Sequence, residues 1–229
     1  MFLPKLNLKT SSRAIIFFTM PEWNFAKTFL NFKNSYTFLN INLKYDEKSL
    51  IAGPIIGAPL LSIFLEILKS LGTKEIIAMG WAGKFKSSSL KIGDLFLPIK
   101  AYSLEGTSKF YFTNKKVFLP DKEITEKLKK ELKNIELCFK KGSIISVDAP
   151  VRFEKNRDLI QKWDQKVEAM DMETSALFSI GSSLQIKICV LHFIIDEIGK
   201  FLNLRSEKMI KEKREKLLKI WRRFLNYEF

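Results

Sequence analysis

Cysteine and histidine are nearly missing from this chain: of its 229 residues, two are Cys and one is His. Cys138 and Cys189 lie in apolar, strand-like runs without CxxC spacing, which predicts buried free thiols. His192 stands alone in an apolar run and reads as a core residue rather than a ligand. No cluster with metal-ligand spacing, P-loop, GxGxxG or nucleophile elbow occurs, so neither a metal nor an organic cofactor is implied. No apolar run approaches the roughly 18 residues of a membrane span. The basic N-terminus lacks the apolar region of a leader, so a cytoplasmic protein without a membrane partner is expected. Internal repeats, low-complexity tracts and linkers are absent as well, which predicts one domain over residues 1–229.

What is abundant is apolar side chain and positive charge. Hydrophobic residues make up 46% of the chain and its formal charge is +14. The first suffices for one sizeable core. The second raises nucleic acid as a partner, through neutralised phosphates and released counterions. The lysines, however, are spread through nearly every segment instead of gathering with aromatics on one element, which argues against that partner.

Apolar runs alternate with helical patterns, the mark of strands linked through helices onto a mixed, mostly parallel central sheet. Strands are expected at 13–19, 49–53, 75–79, 94–102, 167–170 and 186–195. Two short ones should flank Lys141-Gly142, and the segment up to Pro120 could form a hairpin. Helices are expected at 22–32, 60–71, 123–132, 154–163, 173–184 and from 207 onward. The last is basic and amphipathic, and packing on the sheet is favoured over lying on a membrane or an acidic partner. The strand at 75–79 should open at Gly80-Trp81-Ala82-Gly83 into a crevice, the usual ligand position in such sheets.

The segment VEAMDMETSALF, residues 167–178, resembles the strand-to-helix ribose-binding segment of the purine/uridine phosphorylase and nucleosidase family. Asp171, Met172, Glu173, Thr174, Ser175 and Ala176 match its acidic residue, Met, Glu and small-residue pattern. In order along the chain, 53–59 with the following helix and strand, Gly93-Asp94, Ser146-Val147-Asp148 and Ile195-Asp196 also agree. The resemblance spans about residues 49–199. It implies a three-layer α/β fold like that of the phosphorylases, a sheet flanked by helices, a homo-oligomer, and cleavage of the bond between a ribose and a base, a purine for preference.

The chemistry fits the same residues. A ribose offers two neighbouring hydroxyls, and an ionised carboxylate can accept from both. Glu173 suits that task, at a helix start whose dipole should keep it charged. A glutamate that merely begins a helix is the plainer alternative. Met172 would underlie the sugar, beside Asp171. A departing purine must be neutralised, most simply by a proton from a carboxylic acid of raised pKa. The resemblance assigns that role to Asp196, although Ile195 replaces the small hydroxyl residue that usually precedes it.

Departures bear on the attacking group. Phosphate-using relatives carry two arginines and a Ser or Thr where this chain has Trp23, Ala78 and Trp81. Unless Arg13, Lys84 or Lys86 substitutes, phosphate is not held in the usual way, and water is favoured. Glu22 stands in the region of the base that activates water in the nucleosidases. Trp81 and Gly83 are expected to line the nucleoside site, with Phe153 near the base. Three readings stay open: a nucleosidase, a phosphorylase with a rebuilt phosphate site, and an inactive nucleoside-binding protein.

Overall fold

The computed structural model describes residues 13–200 and 207–229. The N-terminal segment read above for a leader, residues 1–12, lies outside them. The buried strands come first in the logic of the fold. In β1 (Arg13–Phe17), Ala14 and Ile16 enter one apolar cluster while Ile15 and Phe17 enter another. The same division holds in β5 (Glu75–Lys84), with Ile76 and Ala78 against Ile77 and Met79. It holds again in β10 (Lys187–Glu197), with Ile188 and Val190 against Cys189 and Leu191. Strands buried on both faces need continuous apolar runs, as these sequences have.

Helices cover both faces. On one lie α2 (Ala58–Ser70) and α7 (Thr174–Leu184). On the other lie α1 (Met20–Phe29), α4 (Lys122–Asn134) and α8 (Glu207–Leu225). The apolar stripe of α8, Ile210, Leu217, Leu218, Trp221, Phe224 and Leu225, is buried in the second cluster, as expected of a helix packed on the sheet. No helix among the described residues is long and apolar enough to cross a membrane.

The sheet is mixed, as expected, but it is not wholly open. Of the ten strand pairings among the described residues, five are parallel and five antiparallel. β5 pairs with β10 along one edge and with β9 (Ala169–Asp171) near its end, while β6 (Leu95–Ser103) and β8 (Lys140–Ser146) complete the circuit. These five strands close a barrel. From β5, β1 leads outward to β4 (Ser49–Gly53), β3 (Ile41–Tyr45) and β2 (Asn34–Phe38) as an open wing.

Several local expectations need correction. The β2–β3 hairpin was not expected; its turn, Leu39-Asn40, has positive φ at both residues, at 47° and 63°. That is the geometry of a two-residue hairpin loop, here without the usual glycine. β5 does not stop at Met79 but carries Trp81 and Gly83 within the strand. Residues 135–139 form no strand before β8, so Cys138 is exposed rather than buried; Cys189 is buried as expected. The single helix expected at 154–163 is two, α5 (Pro150–Glu154) and α6 (Arg157–Asp164), because Asn156 caps the second by accepting from the Leu159 N–H. A short α3 (Ser108–Tyr111) precedes β7 (Val117–Phe118), which pairs antiparallel with β6. The lysines are also less scattered in space than in sequence: Lys129, Lys130, Lys133, Lys140, Lys141 and Lys213 line one groove beside α4.

Candidate active site

The carboxyl ends of β1, β5 and β10, with the β9–α7 junction, surround a cavity of about 290 Å³. Phe18, Thr19 and Met20 come from the end of β1, Trp81 to Gly83 from β5, Ile195 and Asp196 from β10, and Met170 to Glu173 from β9 and its turn. Ile56, Pro150 and Glu154 complete it. Among the described residues, its ionisable side chains are all carboxylic acids, in a chain whose overall charge is +14.

Glu173 is the residue before α7, and almost nothing of it reaches solvent. Its Oε1 accepts from the Gly57 N–H at 2.7 Å. Gly57 has φ 88°, a conformation that glycine adopts without strain, and this turns its N–H toward the carboxylate at the start of α2. The expectation that the helix start keeps Glu173 ionised fails. Burial, and then the nearby charge of Asp171, raise its pKa to about 8, against weaker opposition from the Gly57 and Met172 N–H groups. Desolvation outweighs the helix dipole here.

Asp196 sits half-buried at the other side of the cavity. The register of β10 on β5 slips between Ile194 and Asp196, so Ile195 is an extra residue and Asp196 faces Gly83. This bulge re-aims the chain at the strand end. A Cβ on Gly83 would stand 2.6 Å from Asp196 Oδ1, so the glycine makes room for the carboxylate. Burial, and then the Glu154 charge, push the Asp196 pKa upward. Such a carboxyl group keeps a proton longer than an exposed one and can donate it.

Asp171 lines the cavity, but its carboxylate does not serve it. Oδ1 accepts from Ser146 Oγ at 2.6 Å, and Oδ2 from the Thr174 N–H at 2.9 Å and its hydroxyl at 2.6 Å. The side chain is fully buried, which leaves only its backbone toward the cavity. His192 lies behind it, its Nε2 2.8 Å from Thr174 Oγ1, and burial lowers its pKa. It is a core histidine, as expected. Ser146 Oγ also accepts from the Ser175 N–H, so one polar network seats the first turn of α7.

Two expected site residues stand elsewhere. The Glu22 carboxylate is fully buried, where it accepts from Trp81 Nε1 at 2.7 Å and from the Arg214 guanidinium in a fork, Nε to Oε2 at 2.9 Å and Nη2 to Oε1 at 2.5 Å. A buried carboxylate needs such partners, and these occupy both of its oxygens. Phe153 is not at the cavity either; it packs edge-on against Phe85 in a third apolar cluster, and its neighbours Pro150 and Glu154 face the space instead.

The cations named as possible phosphate ligands are also placed apart. Arg13 begins β1, at the far end of the strand, where it binds Glu75 and the Phe224 carbonyl. Lys84 pairs with Glu197, and Lys86 is exposed on the surface. Trp23 and Ala78 are core residues. Reasoning from sequence missed Thr19, Ile56, Gly57 and Glu154. Of these, Thr19 is notable: its buried Oγ1 has no hydrogen-bond partner among the described residues.

A crevice at the carboxyl ends of parallel strands, lined by two carboxylic acids of raised pKa and apolar walls, stands where open α/β sheets place their ligands. The chain belongs to the phosphorylase superfamily, whose family model matches residues 20–226. It is 26% identical over 143 residues to the guanosine phosphorylase of Halorubrum lacusprofundi, covering 62% of this chain and 58% of that protein. It is 30% identical over 129 residues to a 5'-methylthioadenosine/S-adenosylhomocysteine nucleosidase of Buchnera aphidicola, covering 53% and 55%. The matches thus span little more than half the length of those relatives. Among solved structures, the purine nucleoside phosphorylase of Toxoplasma gondii in complex with immucillin-H superposes with a TM-score of 0.80 at 18% identity, over 98% of this chain and 97% of that one. The futalosine hydrolase of Helicobacter pylori gives 0.74 at 16% identity, over 96% and 99%. At these identities the likeness is one of fold.

Proposed function

We propose that this protein hydrolyses the N-glycosidic bond of a purine nucleoside. The observation that carries the reading is that Glu173 and Asp196 line one cavity, whose ionisable side chains among the described residues are all carboxylic acids. Glu173, held at Gly57, accepts the two ribose hydroxyls; their hydrogen bonds favour its ionised form and offset the burial that raises its pKa. Met172 lies under the sugar. The ionised Glu173 then stabilises positive charge developing on the ring.

Asp196 gives its proton to a ring nitrogen of the base as the C–N bond breaks. The base leaves neutral, water adds to the sugar carbon, and the proton that water loses restores Asp196 through solvent. Glu22, already bound by Arg214 and Trp81, is not assigned the role of base.

The lining supports water over phosphate, because no cation stands among the described lining residues to meet an anion. Met20 and Ile56, apolar and exposed at the cavity, together with Val151 beside it, support assembly with a second copy of the chain.

The test is Asp196→Asn, assayed by release of free base from a panel of purine and pyrimidine nucleosides. General-acid catalysis is worth about 10² to 10⁴ in rate, and a loss of that order is expected. Unchanged release would remove Asp196 from the mechanism.

A further inference from the structure

The first turn of α1, β5 and the first half of α8 meet at one buried point. Glu22, Trp81 and Arg214 are 59 and 192 residues apart in sequence, yet one carboxylate bonds both partners. The arrangement is uneven in its exposure. Glu22 is fully buried and Arg214 nearly so, whereas Trp81 is half-buried and lines the cavity. Trp81 and Gly83 alternate onto the same face of β5, the Asp196 carboxylate lies over Gly83, and Trp81 and Asp196 border the same cavity.

We infer that Arg214 and Glu22 are positioning residues, which fix the Trp81 indole as a wall of the cavity and so tie the C-terminal helix to recognition of the ligand. The inference rests on the nucleoside reading above for the identity of that ligand. An indole has a single N–H donor, and here it is tied to Glu22. Rotation of the ring into the cavity would break that bond and leave a buried carboxylate one partner short. Arg214 holds Glu22 by two prongs, which sets the direction of the carboxylate as well as its charge. The guanidinium carbon also lies 5.9 Å from the ring centroids of both Phe25 and Phe193. Movement of α8 at Arg214 is therefore passed to the cavity wall through one carboxylate.

Two measurements decide it. The first needs no substrate: in ¹⁵N-labelled protein, the Trp81 indole N–H signal is the one missing from Trp81→Phe. Its exchange with solvent deuterium should be about tenfold or more faster in Arg214→Met than in the parent. Arg214→Lys, which keeps the charge without the fork, should fall between and serves if the Met variant does not fold. Unchanged exchange in both variants overturns the inference.

The second is a cycle on KM. Trp81→Phe and Arg214→Met should each raise KM about tenfold with little change in kcat, and the double variant should match Trp81→Phe alone, because the arginine acts through the indole. Multiplied effects in the double variant would show that Arg214 acts otherwise and overturn it. If no nucleoside is turned over, the nucleoside reading fails while the exchange measurement still decides the positioning.

Discussion

Asp196 and Gly83 face each other across β10 and β5, and the carboxylate of one occupies the space that a side chain on the other would fill. The bulge at Ile195 and the missing Cβ act together: one brings the acid to the cavity and the other leaves it room. A methyl group in that space, 2.6 Å from Oδ1, cannot coexist with the observed carboxylate position. Gly83→Ala should therefore displace the acid while leaving the fold intact. A loss of roughly tenfold to a hundredfold in kcat, with an unchanged circular dichroism spectrum, is expected, since a misplacement of about 1 Å can cost that much.

Glu173 should make stability depend on pH. Its carboxyl group has an ordinary pKa of 4.5 and is raised to about 8 in the folded chain. The folded state then holds a proton that the unfolded state has released. Between these two values stability falls as pH rises, by at most about 1.4 kcal/mol per pH unit. Glu173→Gln should flatten that slope in urea unfolding measured from pH 5 to 8, and a slope equal to the parent's would refute the buried, protonated state. A nucleoside whose hydroxyls meet Glu173 should in turn bind with release of a proton, measurable by calorimetry in buffers of different ionisation heat.

Asp171 belongs to the framework of the site rather than to its chemistry. Its three hydrogen bonds from Ser146 and Thr174 all need an acceptor, and Asp171→Asn turns one oxygen into a donor facing a donor. A loss of about 2 to 4 kcal/mol in unfolding free energy is expected, because hydrogen bonds to charged groups contribute about 1.5 to 3 kcal/mol each and a mismatched buried donor adds to the cost. Near-parent stability with a large rise in KM would instead restore the ribose-binding role that sequence alone suggested.

The sequence showed the strands best where burial on both faces demanded apolar runs, as in β1, β5 and β10. β2 was invisible for the opposite reason: Asn34, Ser35, Tyr36 and Thr37 are exposed on the sheet's outer strand, and nothing apolar marks them. Closure of the barrel could not be read either, since it depends on the short β9 meeting β5 at two residue pairs, Gly83 with Met170 and Lys84 with Ala169.

The site was legible as far as motifs reach. Glu173 and Asp196 come together in one cavity, and Trp81 and Gly83 border it. Glu22 went astray because its partner, Arg214, lies 192 residues along the chain, and no spacing rule pairs residues at that distance. Phe153 failed by one position: on the short helix α5, Phe153 turns to the apolar cluster and Glu154 to the cavity.

The most direct test is the rate of base release from a purine nucleoside as phosphate is varied from none to millimolar concentrations. Free base and free ribose, formed at a rate independent of phosphate, are expected. Release that vanishes without phosphate, with ribose phosphate as the product, would contradict hydrolysis in a cavity lined by carboxylates.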